Sequence, residues 1–199
     1  MASLPADIDP ESRFRLPLPK REQLDAVGQH IFDHVGDPKS GNLVGLRGPA
    51  GIQLYNTKYA EHARPLNYYL RYESGIPART REIAILATAR ELDSQFEWAA
   101  HEPEALKQGV SADIIDLIKH RKSTDGLAPG DAIVIDLARE FYRTHKVSAA
   151  TYARAAKAFT PADLVSLVAL MGNYAGTALL LATFGMQLPP GQAPLLPVP

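Results

Sequence analysis

Apolar side chains recur at spacings of three and four along most of the chain, which is the period of an α-helix with one buried face. The first such run begins at Leu24 and ends at Val35, and it predicts a helix over residues 20–35. No segment shows the strict alternation of apolar and polar residues that is typical of a half-buried β-strand. The pattern therefore predicts an all-α fold, a compact multi-helix bundle.

Capping residues, prolines and glycines mark the ends of the other predicted helices. Ser111 and Ser148 are typical N-cap residues, and Thr160-Pro161 is an N-cap residue followed by a first-turn proline. Gly75 is typical of the position just after a helix ends. The predicted helices cover residues 52–62, 65–74, 76–92, 94–109, 112–121, 131–145, 149–159 and 161–184.

Two proline-rich segments flank the helices. Residues 1–19 contain four of the sixteen prolines and residues 187–199 contain five. Because proline lacks a backbone N–H and interrupts helices, we expect both segments to be extended arms. The leucines of the arms favour docking on a neighbouring surface, and a mobile tail is the alternative. A length of 199 residues favours one domain, over residues 20–186, between an N-terminal arm and a C-terminal tail.

Composition and charge exclude several classes of partner. Hydrophobic residues make up 46% and charged residues 22%, as in ordinary soluble proteins. The net charge is −1 and the basic residues are scattered, so neither nucleic acid nor a membrane is expected as a partner. The N-terminus lacks the apolar segment of a signal peptide, which favours a cytoplasmic location. The apolar segment 162–184 contains Asp163 and Ser166, and it predicts a buried helix rather than a membrane span.

The sequence gives little evidence for a metal-binding site or a phosphate-binding loop. The chain has no cysteine, which excludes disulfides, thiolate metal sites and cysteine nucleophiles. His30 and His34 have the spacing of two ligands on one helix, but two histidines supply only half of a zinc site. The glycine-rich segment 40–51 lacks the preceding strand and the following Lys-Ser or Lys-Thr of a phosphate-binding loop. We therefore expect no metal ion and no cofactor.

The segment "SQFEWAAHEPEAL", residues 94–106, carries the clearest candidate chemistry. Glu97 and His101 lie four residues apart and share one helix face. A carboxylate beside an imidazole fixes its tautomer and raises its basicity, as proton transfer near neutral pH requires. The same segment has a structural interpretation, because Ser94 and Glu97 form the S-x-x-E pattern of a capping box. Spacing alone leaves both interpretations open.

A longer segment, "IPARTREIAILATARELDSQFEWAAHEPEALKQGVSADIIDLI", resembles the carboxymuconolactone decarboxylase and AhpD-like alkylhydroperoxidase superfamily. The resemblance rests on RE-x-AIL in one helix, E-W-x-x-H in the next, and a glycine followed by a capped helix. It extends over about residues 65–185. The resemblance implies an AhpD-like helical bundle, an assembly of several subunits and a role in the breakdown of aromatic compounds.

The two branches of this superfamily imply different chemistry. The peroxidase branch has a glutamate, then a C-x-x-C pair, then a histidine four residues after the second cysteine. Glu82 matches that glutamate and His101 matches the histidine, whereas the cysteine positions fall on Ser94 and Glu97. Serine and glutamate cannot cycle between thiol and disulfide, so cysteine-dependent alkylhydroperoxidase activity is excluded. The decarboxylase branch lacks the cysteines and has a glutamate and a histidine at the spacing found here.

The resemblance therefore implies a lyase that decarboxylates a small acidic unsaturated lactone without a cofactor. In this interpretation His101 transfers a proton, Glu97 orients it and balances its charge, and Glu82 acts as a relay behind them. Arginines would hold substrate carboxylates, because the guanidinium fork matches two oxygens. Each candidate substrate-binding residue also has a structural alternative, a surface ion pair for an arginine and core packing for an aromatic residue. These candidates are Arg81, Arg79, Arg47, Trp98 and Tyr174.

Two other functions are open at this point. The chain could be a non-catalytic oligomeric binding or scaffold protein with the same fold. It could also be an isomerase or dehydratase that uses the same acid and base. The long apolar final helix and the apolar tail predict a homo-oligomer in all three cases.

Overall fold

The computed structural model describes residues 4–40 and 42–197, and within them the regular structure is helical, with no β-strand. This confirms the prediction of an all-α fold. A π-helical turn, Tyr69–Glu73, and two short 3-10 turns, Arg21–Gln23 and Pro38–Ser40, accompany the α-helices. The α-helices are α1 Ala26–Gly36, α2 Pro49–Gln53, α3 Thr57–Tyr68, α4 Ala78–Glu91, α5 Gln95–Lys107, α6 Ala112–Lys119, α7 Pro129–Thr144, α8 Ala149–Ala158 and α9 Pro161–Thr183.

Three predicted N-caps are confirmed. The side chains of Ser111, Ser148 and Thr160 each accept a hydrogen bond from the backbone amide three residues further on, at 3.2–3.4 Å. These bonds satisfy amides that the first turn of a helix leaves without a partner. Gly75 has a φ of 83°, the left-handed conformation that glycine adopts most readily after a helical turn.

The N-terminal third of the chain differs from the prediction in three places. The single helix expected over residues 52–62 is two helices, α2 and α3, separated by a turn at residues 54–56. The helix expected over residues 20–35 begins later, at Ala26, because the Asp25 side chain accepts the hydrogen bond of the Gly28 amide and caps the helix there. The prediction of a separate helix over residues 65–74 is wrong. Pro65 lies inside α3, since a proline removes one intrahelical hydrogen bond without preventing helix on both sides of it.

Contacts within the chain divide the described residues into two compact units. Unit 1 is drawn from Met1–Leu66 and Leu179–Ala193, and unit 2 from Asn67–Ala178 and Pro194–Pro199. The single domain predicted for residues 20–186 stays a prediction, because a division by contacts does not show whether either unit folds by itself.

The described part of the N-terminal arm is packed into unit 1. It forms no helix before Arg21, as predicted, and the Phe14 side chain is fully buried. The Arg15 amide donates to the Phe184 carbonyl at 2.8 Å, and the Gln187 amide donates to the Arg13 carbonyl at 2.9 Å. The main apolar cluster of this unit lies between α1, α2 and α3 and is formed by Ile31, Val35, Ala50, Leu54 and Ala60.

Helix α4 lies at the centre of unit 2. Every residue from Arg81 to Arg90 is buried, and the helix packs against α5, α6 and α7. A helix that is buried on all sides is usually apolar all round. The charged residues in this helix therefore require partners, and Arg81 and Glu82 lead to the candidate site described below.

The C-terminal tail is bound to α5 through Gln95. Its Oε1 accepts from the Leu195 amide at 3.1 Å and the Leu196 amide at 3.0 Å, and its Nε2 donates to the Leu196 carbonyl at 2.8 Å. Leu196 is 3% exposed and joins the core of unit 2. Residues 195 and 196 therefore dock on their own chain.

Helix α9 is less buried than the sequence predicts. Val165, Val168 and Leu179 are 69%, 50% and 69% exposed. Among the described residues, α9 is the one helix whose length and composition would allow it to cross a membrane, with a mean hydropathy of 1.7 and 33% of the segment buried. Core helices of soluble proteins have the same properties, so this is weak evidence for a membrane span.

Candidate active site

Two consecutive helices of unit 2 bring Glu82 and His101 into contact. Glu82 lies on α4 and is fully buried, and His101 lies on α5 and is 4% exposed. The His101 Nδ1 atom lies 2.8 Å from Glu82 Oε2, a distance typical of a charge-assisted hydrogen bond. Because nineteen residues separate the two in sequence, the packing of α4 on α5 creates this contact.

Arg81 holds the other oxygen of Glu82. Its Nε donates to Glu82 Oε1 at 3.1 Å, and its Nη1 donates to the Arg71 carbonyl. Burial acts to raise the pKa of Glu82, but the hydrogen bond and charge of His101, followed by those of Arg81, outweigh burial and lower this pKa. Glu82 is therefore ionised at neutral pH, and both of its oxygens have partners, as a buried charge requires.

An ionised Glu82 determines the tautomer of His101. A carboxylate only accepts hydrogen bonds, so the hydrogen of the neutral ring must sit on Nδ1 and point to Glu82. The other ring nitrogen, Nε2, then keeps its lone pair and is the atom that can take up a proton. A buried carboxylate orients the histidine base of serine hydrolases in the same way.

Glu97 lies on the Nε2 side of the same ring. Its Oε2 is 3.9 Å from His101 Nε2, which is too long for a hydrogen bond. Burial raises the pKa of Glu97, and the nearby charges of His101 and Arg71 offset this effect only in part. We expected Glu97 to orient His101, but Glu82 makes the orienting contact and Glu97 faces the opposite nitrogen.

The structure contradicts the capping-box interpretation of Ser94 and Glu97 at the start of α5. Ser94 is the N-cap residue, but within the described residues its side chain makes no capping hydrogen bond, and its own amide donates to the Ala89 carbonyl at 2.8 Å. Glu97 is 5% exposed, beside His101. The S-x-x-E pattern does not form a capping box here because the Glu97 carboxyl is buried beside His101, one turn further along the same helix.

Tyr174 brings α9 to the same cluster. Its ring lies edge-on to the His101 ring, with 5.1 Å between the centroids and 85° between the planes. The residue is 5% exposed, and burial strongly raises the pKa of its phenol, which keeps the hydroxyl protonated. Tyr174 therefore supplies an apolar wall and a neutral hydroxyl to the site.

Arg71 is a residue of this cluster that the sequence interpretation missed. Its Nε is buried and has no hydrogen-bond partner among residues 4–40 and 42–197. The guanidinium carbon lies 4.9 Å from the Tyr72 ring centroid, and that of Arg81 lies 5.4 Å from the same centroid. In the sequence, Arg71 stands out only as an arginine between two tyrosines in "YLRYE", and no sequence rule identifies the π-turn that this stretch forms.

Three predicted substrate-binding residues have other contacts. Arg79 forms a bidentate ion pair with Asp131, in which Nη1 donates to Oδ1 at 2.5 Å and Nη2 donates to Oδ2 at 2.8 Å. Trp98 is fully buried in the core of unit 2, and its Nε1 donates to Glu102 Oε2 at 2.7 Å. Arg47 belongs to unit 1, where its Nε donates to a carbonyl of the N-terminal arm. The remaining five predicted residues lie together in unit 2.

The clustered side chains supply acids, bases and cations. Within residues 4–40 and 42–197, no group of three or more His, Cys, Asp or Glu side chains is arranged to hold a metal ion. A fixed imidazole with a free Nε2, a buried carboxyl near that nitrogen and an unpaired guanidinium are the elements of a proton-transfer site that binds an anion.

Comparison with known proteins places the same region in a family. The model of the carboxymuconolactone decarboxylase family matches residues 58–129. No curated protein gives a significant match to the chain. The matched segment contains α4, α5 and the π-turn, and therefore all of the cluster except Tyr174. For residues 58–129, this match confirms the superfamily predicted from the motifs.

Proposed function

We propose that the protein, whose residues 58–129 belong to the carboxymuconolactone decarboxylase family, is a lyase that removes CO2 from a small acidic unsaturated lactone or a related compound. The observation that supports this most is the 2.8 Å hydrogen bond between the buried side chains of Glu82 and His101. Such a pair leaves one imidazole nitrogen free for proton transfer, and no cofactor is needed for this chemistry.

The proposed reaction breaks one C–C bond and forms one C–H bond. When CO2 leaves, the electron pair of the broken bond spreads through the conjugated lactone toward its carbonyl oxygen. A proton is then added to a ring carbon, and water returns one proton to the enzyme. The protein must stabilise the charge on the carbonyl oxygen and supply the proton.

His101 delivers this proton from Nε2 in the proposed mechanism. Before delivery the ring carries two hydrogens and a positive charge, and the Glu82 carboxylate stabilises that charge through Nδ1. Arg81 positions Glu82 through its second oxygen. This assignment gives Glu82 the orienting role that the sequence interpretation gave to Glu97.

Glu97 acts as a neutral acid in this mechanism. A raised pKa keeps its carboxyl protonated to a higher pH than an exposed glutamate. A neutral carboxyl does not repel an anionic substrate, and its O–H can donate to the negative charge that develops on the carbonyl oxygen. Its position on the Nε2 side of His101 supports this role.

An activity assay tests the proposal. The wild type and His101→Asn would be compared for CO2 release from a set of small unsaturated lactone acids. We expect His101→Asn to lose roughly 10²–10⁴-fold in turnover, the usual contribution of a general acid or base. Asparagine keeps a donor for Glu82, so the fold should survive.

His120→Asn is the matched control. His120 also follows an acidic residue, Asp116, by four positions, but both side chains are 47% exposed. This variant should retain wild-type turnover. Full turnover by His101→Asn, or no CO2 release by the wild type from any substrate, would contradict the proposal. Consumption of a substrate without CO2 release would instead indicate an isomerase or dehydratase.

We also propose that α9 joins two copies of the chain in the homo-oligomer expected from the sequence. The exposed residues Val165 and Val168 lie three residues apart, one step of the alternating three- and four-residue spacing of a helix-pairing seam. Gly172 falls on the same seam, and a Cβ added there would meet no atom within 4 Å. A second α9 is the partner that best matches a long, uncharged and periodic face.

A further inference from the structure

Arg71 carries a positive charge that no carboxylate of the described residues contacts. Burial lowers the pKa of Arg71, but the more distant charges of Tyr174, Tyr72, Glu82 and Glu104 outweigh this effect and raise it, so the guanidinium stays charged. No carboxylate among residues 4–40 and 42–197 lies within 4.0 Å of its guanidinium, and its buried Nε has no hydrogen-bond partner. Its neighbour Arg81, in contrast, is paired with Glu82. A buried cationic donor without a partner destabilises a folded protein, so its presence points to a ligand that supplies the partner.

The backbone holds Arg71 beside the histidine cluster. Arg71 lies in the π-turn Tyr69–Glu73, and its carbonyl accepts a hydrogen bond from Arg81. Arg81 in turn donates to Glu82, whose other oxygen bonds His101. The guanidinium groups of Arg71 and Arg81 both lie over the Tyr72 ring, at 4.9 and 5.4 Å from its centroid, and the charge of Arg71 acts to lower the pKa of Tyr174 and of Glu97. Single π-turns within helices occur frequently at functional sites.

We propose that Arg71 is the residue that binds a carboxylate of the substrate, and that it thereby selects acidic ligands for this site. Its planar fork can donate two parallel hydrogen bonds to one carboxylate. This inference rests on the proposed function for the location of the site and adds the residue that determines its specificity.

The chemistry of decarboxylation decides which carboxylate Arg71 binds. A carboxylate that leaves as CO2 loses its charge in the transition state, so an ion pair to it would stabilise the substrate more than the transition state. Arg71 therefore holds a carboxylate that stays in the product. Tyr72 supports the guanidinium from 4.9 Å and is 50% exposed, which leaves the outer side of this pair open to solvent.

A binding experiment separates this role from a structural one. Maleate, a small unsaturated dicarboxylate, would be titrated calorimetrically into the wild type, Arg71→Met and Arg71→Lys, with its neutral diamide as a second probe. We expect saturable binding of maleate by the wild type and roughly 10- to 100-fold weaker binding by Arg71→Met, the loss of a charged bidentate contact. Arg71→Lys should be intermediate, and the diamide should not bind.

Melting temperatures provide the readout that a structural role would not share. Because the Nε of Arg71 lacks a partner in the free protein, Arg71→Met should melt at the wild-type temperature or higher, while the stabilisation by maleate should disappear. Arg154→Gln is the control, since Arg154 pairs with Asp136 at the surface and its loss changes the net charge equally. It should bind maleate as the wild type does.

Three outcomes would overturn the inference: no saturable binding of maleate to the wild type, equal affinities of wild type and Arg71→Met, or a lower melting temperature of Arg71→Met in the free protein. The proposed reaction fails separately. Full turnover by His101→Asn together with lost maleate binding by Arg71→Met would remove the reaction and keep the anion site.

Discussion

Replacing Glu82 by glutamine is the perturbation that most directly tests the geometry of the cluster. The two side chains have the same shape, but the carboxylate accepts hydrogen bonds at both oxygens and the amide accepts at only one. Glu82 Oε1 faces the Arg81 Nε at 3.1 Å, and Oε2 faces the His101 Nδ1 at 2.8 Å. An amide therefore cannot serve both neighbours.

Each orientation of the amide has its own consequence. If its NH2 group faces Arg81, two donors meet, and the guanidinium keeps its hydrogen bond to the Arg71 carbonyl but is left as a buried charge without a counter-charge. If its NH2 group faces His101, Nδ1 must accept a hydrogen bond. The ring then cannot carry hydrogens on both nitrogens, and the charged proton donor of the proposed mechanism is lost. Glu82→Gln should therefore lower stability, turnover or both.

The size of the stability loss follows from burial. Glu82 is fully buried and the side chain of Arg81 is 7% exposed, so water cannot replace the lost partner. Breaking one side of a buried charge pair typically costs about 3–5 kcal/mol. For a chain of this length, 1 kcal/mol corresponds to a change in melting temperature of about 2–4 °C, so we expect a decrease of roughly 6–20 °C.

Urea unfolding, thermal melting and nitrogen NMR of the His101 ring together measure these effects. The double variant Arg81→Met/Glu82→Gln should recover part of the lost stability, because it removes the unpaired charge. Glu61→Gln, which breaks a surface pair with Lys58, serves as the control and should melt as the wild type does. Wild-type melting temperature, turnover and ring tautomer in Glu82→Gln would refute the reasoning.

Two further predictions concern Glu97 and α9. Burial raises the folded-state pKa of Glu97, so its contribution to stability is fully present below the unfolded pKa of about 4.3 and is lost as the pH rises through the folded pKa. The free energy of unfolding of the wild type, relative to Glu97→Gln, should therefore fall with rising pH in urea titrations; a constant or rising difference would argue against a protonated Glu97. For α9, Val165→Lys should dissociate the proposed oligomer in light scattering, while Val147→Lys, which changes an exposed valine between α7 and α8, should not. A wild type that is monomeric at all concentrations would exclude the α9 interface.

The sequence by itself determined the helical content and most helix ends. Apolar periodicity is a local property, and the side chains of Ser111, Ser148 and Thr160 bond amides only three residues away. Such short-range interactions can be predicted from the order of the residues alone. The motifs also led to the family, which the match over residues 58–129 confirmed.

Only the tertiary structure decided which side chains of the site contact one another. Glu82 and His101 lie on different helices, and burial of α4 against α5 selects their contact over the local pairing of Glu97 with either Ser94 or His101. The π-turn that presents Arg71 has no sequence signature. Interactions that form across helices depend on how whole elements pack, because burial sets the energy of a charge and burial is a property of the fold.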